Sequence, residues 1–301
     1  EFLHEEGFHL QKLTILLLLP LLFAGCGTVP DDNTPQTETG FPVVIEDAFG
    51  KEVKIENPPE RIVSIAPSQT EILFALDLGE KIVGVTNWCN HPEEAKTKTR
   101  VGDMHLDFET IVSLKPDLVV GIRSMQEDNL LRLEKLGLKV LAIEPKGIEG
   151  TLEAIETLGR ATGKSTKAKE IIGEIQDQLG RIKAKTPKPK VLIVLDLDPL
   201  FTVGPGSLQH DLLERAGGEN IASSTNNPWP QLAEEVVIEQ NPDVILFTEA
   251  GLKERILAKP AWRNLKAVKS GAIYTVESDL ISRPGPRIGL AAQKLAELMS
   301  K

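Results

Sequence analysis

Glu109 and Glu235 stand at matching places in two distant stretches of the chain. Each lies seven residues ahead of a Pro-Asp pair, Pro116-Asp117 and Pro242-Asp243, that opens an apolar run. A carboxylate in the first turn of a short helix is favoured by the helix dipole, and its recurrence at one offset marks a repeated design. Trp88, Phe201 and Trp229 offer another kind of chemistry. Trp88 comes just after the run Ile82-Val83-Gly84-Val85, Phe201 comes after Val191-Leu192-Ile193-Val194-Leu195, and Trp229 is bracketed by Pro228 and Pro230. Flat aromatic faces at such places suit a macrocycle or an aromatic chelate, because they bury large area at low entropic cost. Asp279 and Arg287 flank a loop ending Pro284-Gly285-Pro286, and Arg287 suits either ordering that loop or meeting an acidic ligand group.

None of this is the chemistry of bond making. A phosphate-binding turn needs GxGxxG after a strand; Gly204-Pro205-Gly206-Ser207 has the wrong spacing, and its proline removes an N–H. There is no Walker A sequence and no GxSxG elbow. The acidic residues form no paired catalytic site, so the chain is expected not to be an enzyme and to need no cofactor. His4, His9, His91, His105 and His210 are scattered, and the two cysteines, Cys26 and Cys89, form no CxxC. A structural zinc site needs about four clustered ligands, so no metal site is expected; His91 and His105 read as solvated loop residues and Cys89 as a small packed side chain. The formal net charge of −10 argues against nucleic-acid binding, which runs on basic patches.

The elements that would position these residues are legible. Ile62–Ala66, Ile82–Val85, Leu118–Ile122, Val140–Ile143, Val191–Leu195, Val244–Phe247 and Ile273–Val276 are short β-branched runs between helical patterns. Near-continuous apolar strands alternating with helices indicate parallel sheets covered on both faces, an α/β fold. Ser68-Gln69-Thr70-Glu71 reads as a capping box, Ser207 as the cap of a helix stopped by Gly217-Gly218, and Arg287–Met299 as an amphipathic helix. Between the two halves, Ala168, Ile171, Ile172, Ile175, Leu179 and Ile182 keep helical spacing, which predicts one helix from Ser165 to Lys185, about 30 Å long. A single stiff helix there limits hinge motion. The expected plan is two Rossmann-like lobes, residues 43–163 and 187–301, joined by a helix over 164–186, with a ligand cleft between them.

The start of the chain reads as processing signals. Leu13–Ala24 is apolar apart from Thr14 and follows Lys12. A dozen apolar residues match the core of a secretory signal and fall short of the roughly twenty a membrane span needs. The ending Leu22-Phe23-Ala24-Gly25-Cys26 looks like a bacterial lipobox, which implies a signal peptide over 1–25 and lipidation at Cys26. The stretch Glu1–Glu6 is acidic and lacks Met, unlike a usual n-region, and is expected to be an extension. Residues 26–42 are rich in Thr, Pro, Asp and Asn and read as a flexible tether.

Five stretches resemble the helix-linked class of periplasmic solute-binding proteins of ABC importers, most of all its cobalamin-binding members. They are Arg61-Ile62-Val63-Ser64-Ile65-Ala66-Pro67-Ser68-Gln69-Thr70-Glu71, Lys115-Pro116-Asp117-Leu118-Val119, Gly217-Gly218-Glu219-Asn220-Ile221, Pro228-Trp229-Pro230-Gln231 and Pro286-Arg287-Ile288. The resemblance spans about residues 43–299. It implies a monomeric receptor, lipid-anchored on the periplasmic or extracellular face of the cytoplasmic membrane. Such a receptor captures cobalamin, or alternatively a ferric siderophore or haem, and hands it to a permease dimer with its ATPase. It further implies that Glu109 and Glu235 dock on importer arginines and that Asp279 lies near the ligand. The sequence departs from the cobalamin pattern at Asp103 and Ile122, near where such binders carry tryptophans. The single tyrosine, Tyr274, falls in a strand pattern, which gives a tyrosine-ligated haem little support.

Overall fold

The computed structural model describes residues 40–301. The expected signal segment, Cys26 and nearly all of the expected tether lie outside the described residues. The described residues begin with an antiparallel hairpin of β1 (Val43–Glu46) and β2 (Glu52–Ile55). Five parallel strands follow: β3 (Ile62–Ser64), β4 (Ile82–Val85), β5 (Thr99–Arg100), β6 (Leu118–Ile122) and β7 (Val140–Ile143), in the spatial order β5-β4-β3-β6-β7. Helices α1 (Pro67–Ala75), α2 (Phe108–Ser113) and α3 (Arg123–Lys135) connect them. Next come α4 (Gly147–Thr162) and α5 (Ser165–Gly180).

The second half repeats the plan. Strands β8 (Lys190–Val194), β11 (Glu219–Asn220), β12 (Val244–Phe247) and β13 (Ile273–Thr275) are parallel, in the order β11-β8-β12-β13. A small hairpin, β9 (Asp196–Leu197) with β10 (Leu200–Phe201), follows β8. The helices here are α6 (Leu208–Arg215), α7 (Glu234–Gln240), α8 (Leu252–Ala258), α9 (Lys266–Ser270), α10 (Ser278–Ser282) and α11 (Ile288–Leu298). Each sheet therefore runs second-first-third-fourth, with β5 as an added edge strand in the first. β6 and β12 are buried along their whole length, as strands covered on both faces must be.

The Pro-Asp repeat has a physical cause. Lys115 (φ 47°) and Asn241 (φ 48°) both take the left-handed conformation that stops the preceding helix, and the proline after each prevents its resumption. The aspartate then clips the adjacent strand. Asp117 accepts hydrogen bonds from the backbone N–H groups of Glu60 (2.8 Å) and Arg61 (3.0 Å), just before β3. Asp243 accepts one from Lys190 at the start of β8 (2.9 Å).

Three expectations are corrected. The helix between the halves, α5, ends at Gly180, and residues 181–189 have no regular structure. It is 16 residues long, about 24 Å rather than 30 Å. It packs on α4 and α11 and contributes Ile171, Ile175 and Leu179 to a core shared by both halves, where Leu158, Leu212 and Leu295 are also buried. The described residues thus form one compact unit with two separate parallel sheets. Ser68–Glu71 is not a capping box: Ala66 is the N-cap, makes no side-chain cap bond, and is followed by Pro67 in the first turn. The last helix starts one residue late, with Arg287 at its N-cap. Ser207 does cap α6, accepting from the N–H of His210.

Candidate ligand cleft

In parallel α/β sheets, ligands bind beyond the carboxyl ends of the strands. A cavity of about 330 Å³ lies there, walled by both halves. From the first half come Ile122, Ser124 and Met125, after β6, and Glu144, Pro145, Lys146 and Gly147, after β7. From the second come Ser207, Leu208 and Gln209 at the start of α6, Pro228 and Trp229, and Ser282 and Pro284. Past Ser124 and Met125 the surface continues into a depression of about 490 Å³ that includes Met104 and Asn129. Among the described residues the lining is mostly apolar or uncharged, with one cation, Lys146, and one carboxylate, Glu144, whose Oε2 accepts from the Ser124 N–H at 2.7 Å. Gln209 Nε2 donates to the Ser282 hydroxyl (3.2 Å).

Of the five residues expected to meet a ligand, the structure brings Trp229 to this cavity. Its ring is exposed, but its backbone is fixed: Thr202 N–H donates to Pro230 O (3.1 Å), Gly204 N–H to Pro228 O (2.9 Å), and Trp229 N–H to Asn227 Oδ1 (2.9 Å). Gly204 is thereby explained, because a Cβ there would collide with the carbonyl of Asn227. The Gly204-Pro205-Gly206 turn seats the Trp229 segment. Trp88 and Phe201 do follow β4 and β8 at the carboxyl edge, but both are solvent-exposed and neither lines the cavity. His91 and His105 are exposed; Cys89 is buried, 3.1 Å from Thr70 Oγ1 and 3.2 Å from Thr86 Oγ1. Ile122 is buried beneath the cavity floor.

Asp279 and Arg287 belong to an ion cluster that sequence reasoning missed. Glu71 of α1, 1% exposed, faces two guanidinium groups of the second half. Arg287 gives it Nε and Nη2, both at 2.8 Å, and Arg283 gives it Nη1 at 2.9 Å. Arg283 also pairs with Asp279 (2.7 Å) and donates to Asn90 Oδ1 (2.8 Å) and to the Trp88 carbonyl (3.1 Å). Asn90 returns a hydrogen bond to Asp279 (3.0 Å). Burial alone would lower the pKa of Arg287, but the hydrogen bonds and charge of Glu71, with smaller help from Glu277 and Asp279, raise it. Arg287 therefore orders the loop: its guanidinium is engaged by Glu71 rather than turned to the cavity. The cluster holds the Trp88 loop of one half against α10 of the other and fixes one flank of the cleft. A lone Arg283 beside Pro284 gives no sequence signal, because its partners across the cleft, Glu71, Trp88 and Asn90, are about 200 residues away.

Gly147 closes the opposite flank. It has φ 62°, and a Cβ there would strike the Asp211 carboxylate of α6. Gly147→Ala is expected to destabilise the chain by about 1–3 kcal/mol, chiefly through strain at a positive φ, with the Asp211 carboxylate turned aside. Denaturant titration measures this, and an unchanged midpoint would show that the site accepts a Cβ at no cost.

Glu109 and Glu235 are exposed in the first turns of α2 and α7. Neither belongs to an ion pair among the described residues. Asp107 caps α2, and its carboxyl is held below the ordinary value by the side chain and then the backbone N–H of Thr110.

Two parallel-sheet lobes turn their carboxyl edges toward one cavity and are stapled together by a buried ion cluster, an arrangement suited to holding a solute between them. The sequence pattern of the periplasmic binding protein family matches residues 62–280. The chain is 34% identical over 296 residues to the ABC transporter substrate-binding lipoprotein YvrC of Bacillus subtilis (strain 168), covering 94% of each chain. It is 33% identical to the vitamin B12-binding protein of Salmonella paratyphi A, covering 80% of this chain and 90% of that one. Among solved structures, the periplasmic heme-binding protein RhuT of Roseiflexus superposes with a TM-score of 0.72 at 26% identity, over 80% of this chain and 97% of the other. The chain belongs to the periplasmic binding protein family. It is an extracytoplasmic substrate-binding protein of an ABC transporter, a class that works with permease and ATPase components and performs no catalysis.

Proposed function

We propose that this protein captures a corrinoid, cobalamin, in the cleft at Trp229 and delivers it to an importer while held at the membrane by lipid on Cys26. The observation that carries this reading is the lining of the cleft. A corrin is a flat macrocycle edged by neutral amides. It suits an apolar floor of Ile122, Met125 and Leu208, an exposed indole on a pinned backbone at Trp229, and neutral hydrogen-bonding groups at Ser124, Gln209 and Ser282. Haem carries two carboxylates, and many ferric siderophores are polyanions. With one cation, Lys146, and one carboxylate, Glu144, the described lining offers them no net positive charge. The likeness to vitamin B12-binding proteins points the same way. Asp279, Phe201 and Trp88 are candidates for outer contacts if the lobes draw closer on a ligand.

Haem has two observations in its favour, the likeness to the heme-binding protein RhuT and a pair of thioethers. Two of the three methionines, Met104 and Met125, are exposed at the same depression, and a thioether is an accepted haem-iron ligand.

Titration with cyanocobalamin, hemin and a ferric hydroxamate separates the readings. Cyanocobalamin alone is expected to bind with saturable quenching of tryptophan fluorescence and to raise the melting temperature. A thermal shift with hemin or the ferric chelate, and none with cyanocobalamin, overturns the proposal. Trp229→Ala is expected to weaken cyanocobalamin by roughly 1–3 kcal/mol, about 5- to 150-fold, if the indole stacks in a desolvated site. An unchanged affinity would remove Trp229 from the contact.

A further inference from the structure

The docking face of each lobe carries a second, apolar element beside its glutamate. Along α2 and α7 the pattern of exposure is the same at seven successive positions, Phe108–Leu114 and Glu234–Gln240. Ile111 and Val237, two residues after each glutamate, are fully buried and anchor their helices to the lobe. Three residues after each glutamate, one helical turn on and on the same side, stand Val112 and Ile238. These are 43% and 45% exposed. A single exposed aliphatic residue is ordinary. Two β-branched ones are not, at one register position of duplicated helices whose other exposed residues in that register are Glu109, Ser113, Glu235 and Glu239. Such residues have no local reason to be there, since β-branched side chains are mediocre helix formers and gain nothing from water.

The placement of the two patches matches a partner. Asp107, the cap of α2, follows the Gly102–Leu106 bridge beyond the carboxyl end of β5; α7 follows the segment whose Gln231 bridges to Phe201 beyond β8. Both helices therefore open at the sheet edges that face the cleft, one patch on each lobe. Two equivalent patches on a duplicated receptor fit two equivalent patches on a two-fold partner.

Resting on the reading of Glu109 and Glu235 as docking residues, we infer that the docking unit in each lobe is a pair. In each, the carboxylate steers and Val112 or Ile238 seats in an apolar hollow of a permease half, beside the basic group that the glutamate meets. The carboxylate supplies long-range attraction that salt screens. The aliphatic side chain supplies contact that salt does not weaken.

The test uses the full chain in cells that make it natively, with photoreactive benzoylphenylalanine placed singly at positions 109, 112, 235 and 238. A fifth position, 136, serves as control: Leu136 is 49% exposed but lies past the end of α3, at the opposite edge of the sheet. Adducts are identified by mass spectrometry. The inference expects adducts with an ABC permease subunit from all four docking positions and none from 136. It also expects the yield from position 109 to fall about tenfold when Val112→Asn and Ile238→Asn are combined, as loss of a buried aliphatic contact on each lobe requires. Adducts from 109 and 235 without any from 112 and 238 overturn the inference and leave the glutamates as docking residues. No permease adduct from any of the four overturns both.

Discussion

Glu71→Ala unfolds more easily than the parent by about 3–5 kcal/mol, the usual cost of removing one member of a buried ion pair and leaving its partners uncompensated. Two guanidinium groups are stranded by this change. Arg287 loses a bidentate partner and Arg283 loses one of its carboxylates, at side-chain exposures of only 16% and 11%. For a chain of this size the loss corresponds to a fall in melting temperature of about 6–20 °C. Local loosening accompanies it, because Arg283 also holds the Trp88 carbonyl and Asn90. Amide exchange in the Trp88–Asn90 loop is therefore expected to speed up together with that of α10. Guanidinium unfolding gives the first quantity and hydrogen exchange the second. A loss below about 1 kcal/mol would reduce the cluster to an ordinary surface pair.

The second large effect lies in transport. Combined Glu109→Ala and Glu235→Ala is expected to leave ligand affinity and melting temperature as they are, since both side chains are exposed and neither lines the cavity. Uptake by cells carrying this double variant is expected to be abolished. Single variants should be intermediate, and their deficit against the parent should shrink as ionic strength rises, because salt screens the charge whose loss they report. Equilibrium titration of purified protein and initial uptake rates in cells check the two halves of this expectation. A fall in affinity in solution would place the glutamates in the pocket, and normal uptake would leave them as dipole-favoured helix acids.

The core of the fold was open to sequence reasoning because it is local. Ile82–Val85, Leu118–Ile122, Val140–Ile143 and Val244–Phe247 appear as strands with the expected bounds, since β-branched runs between helices leave few alternatives. The repeated offset from glutamate to Pro-Asp was equally visible, and it proved to encode a left-handed helix stop and a strand clip. What failed was long-range. Ser68-Gln69-Thr70-Glu71 satisfies the pattern of a capping box, yet Pro67 occupies the first turn and Glu71 turns away to Arg283 and Arg287, more than 200 residues on. The apolar spacing of α5 continues to Ile182, but the helix stops at Gly180.

The cleft shows the same division. That aromatic residues follow β4 and β8 could be read directly. Which ring reaches the cavity could not, because that depends on how each loop is pinned. The Trp229 segment is fastened on both sides to the chain after β10 and is delivered to the cavity, whereas Trp88 is held by its carbonyl with its ring outside it. Ser124, Met125 and Gln209 carry no motif. Ser124 and Met125 could have been found from their place just after β6, and Gln209 only from the way α6 meets α10.

The central claim is that a corrinoid occupies the cleft beside Trp229, and native mass spectrometry with visible absorption on protein purified from its own cells addresses it most directly. The parent is expected to show an adduct of corrinoid mass and a corrin absorption band, with both lost or strongly reduced in Trp229→Ala. A porphyrin or ferric-chelate adduct, or a corrinoid retained in full by Trp229→Ala, would contradict it.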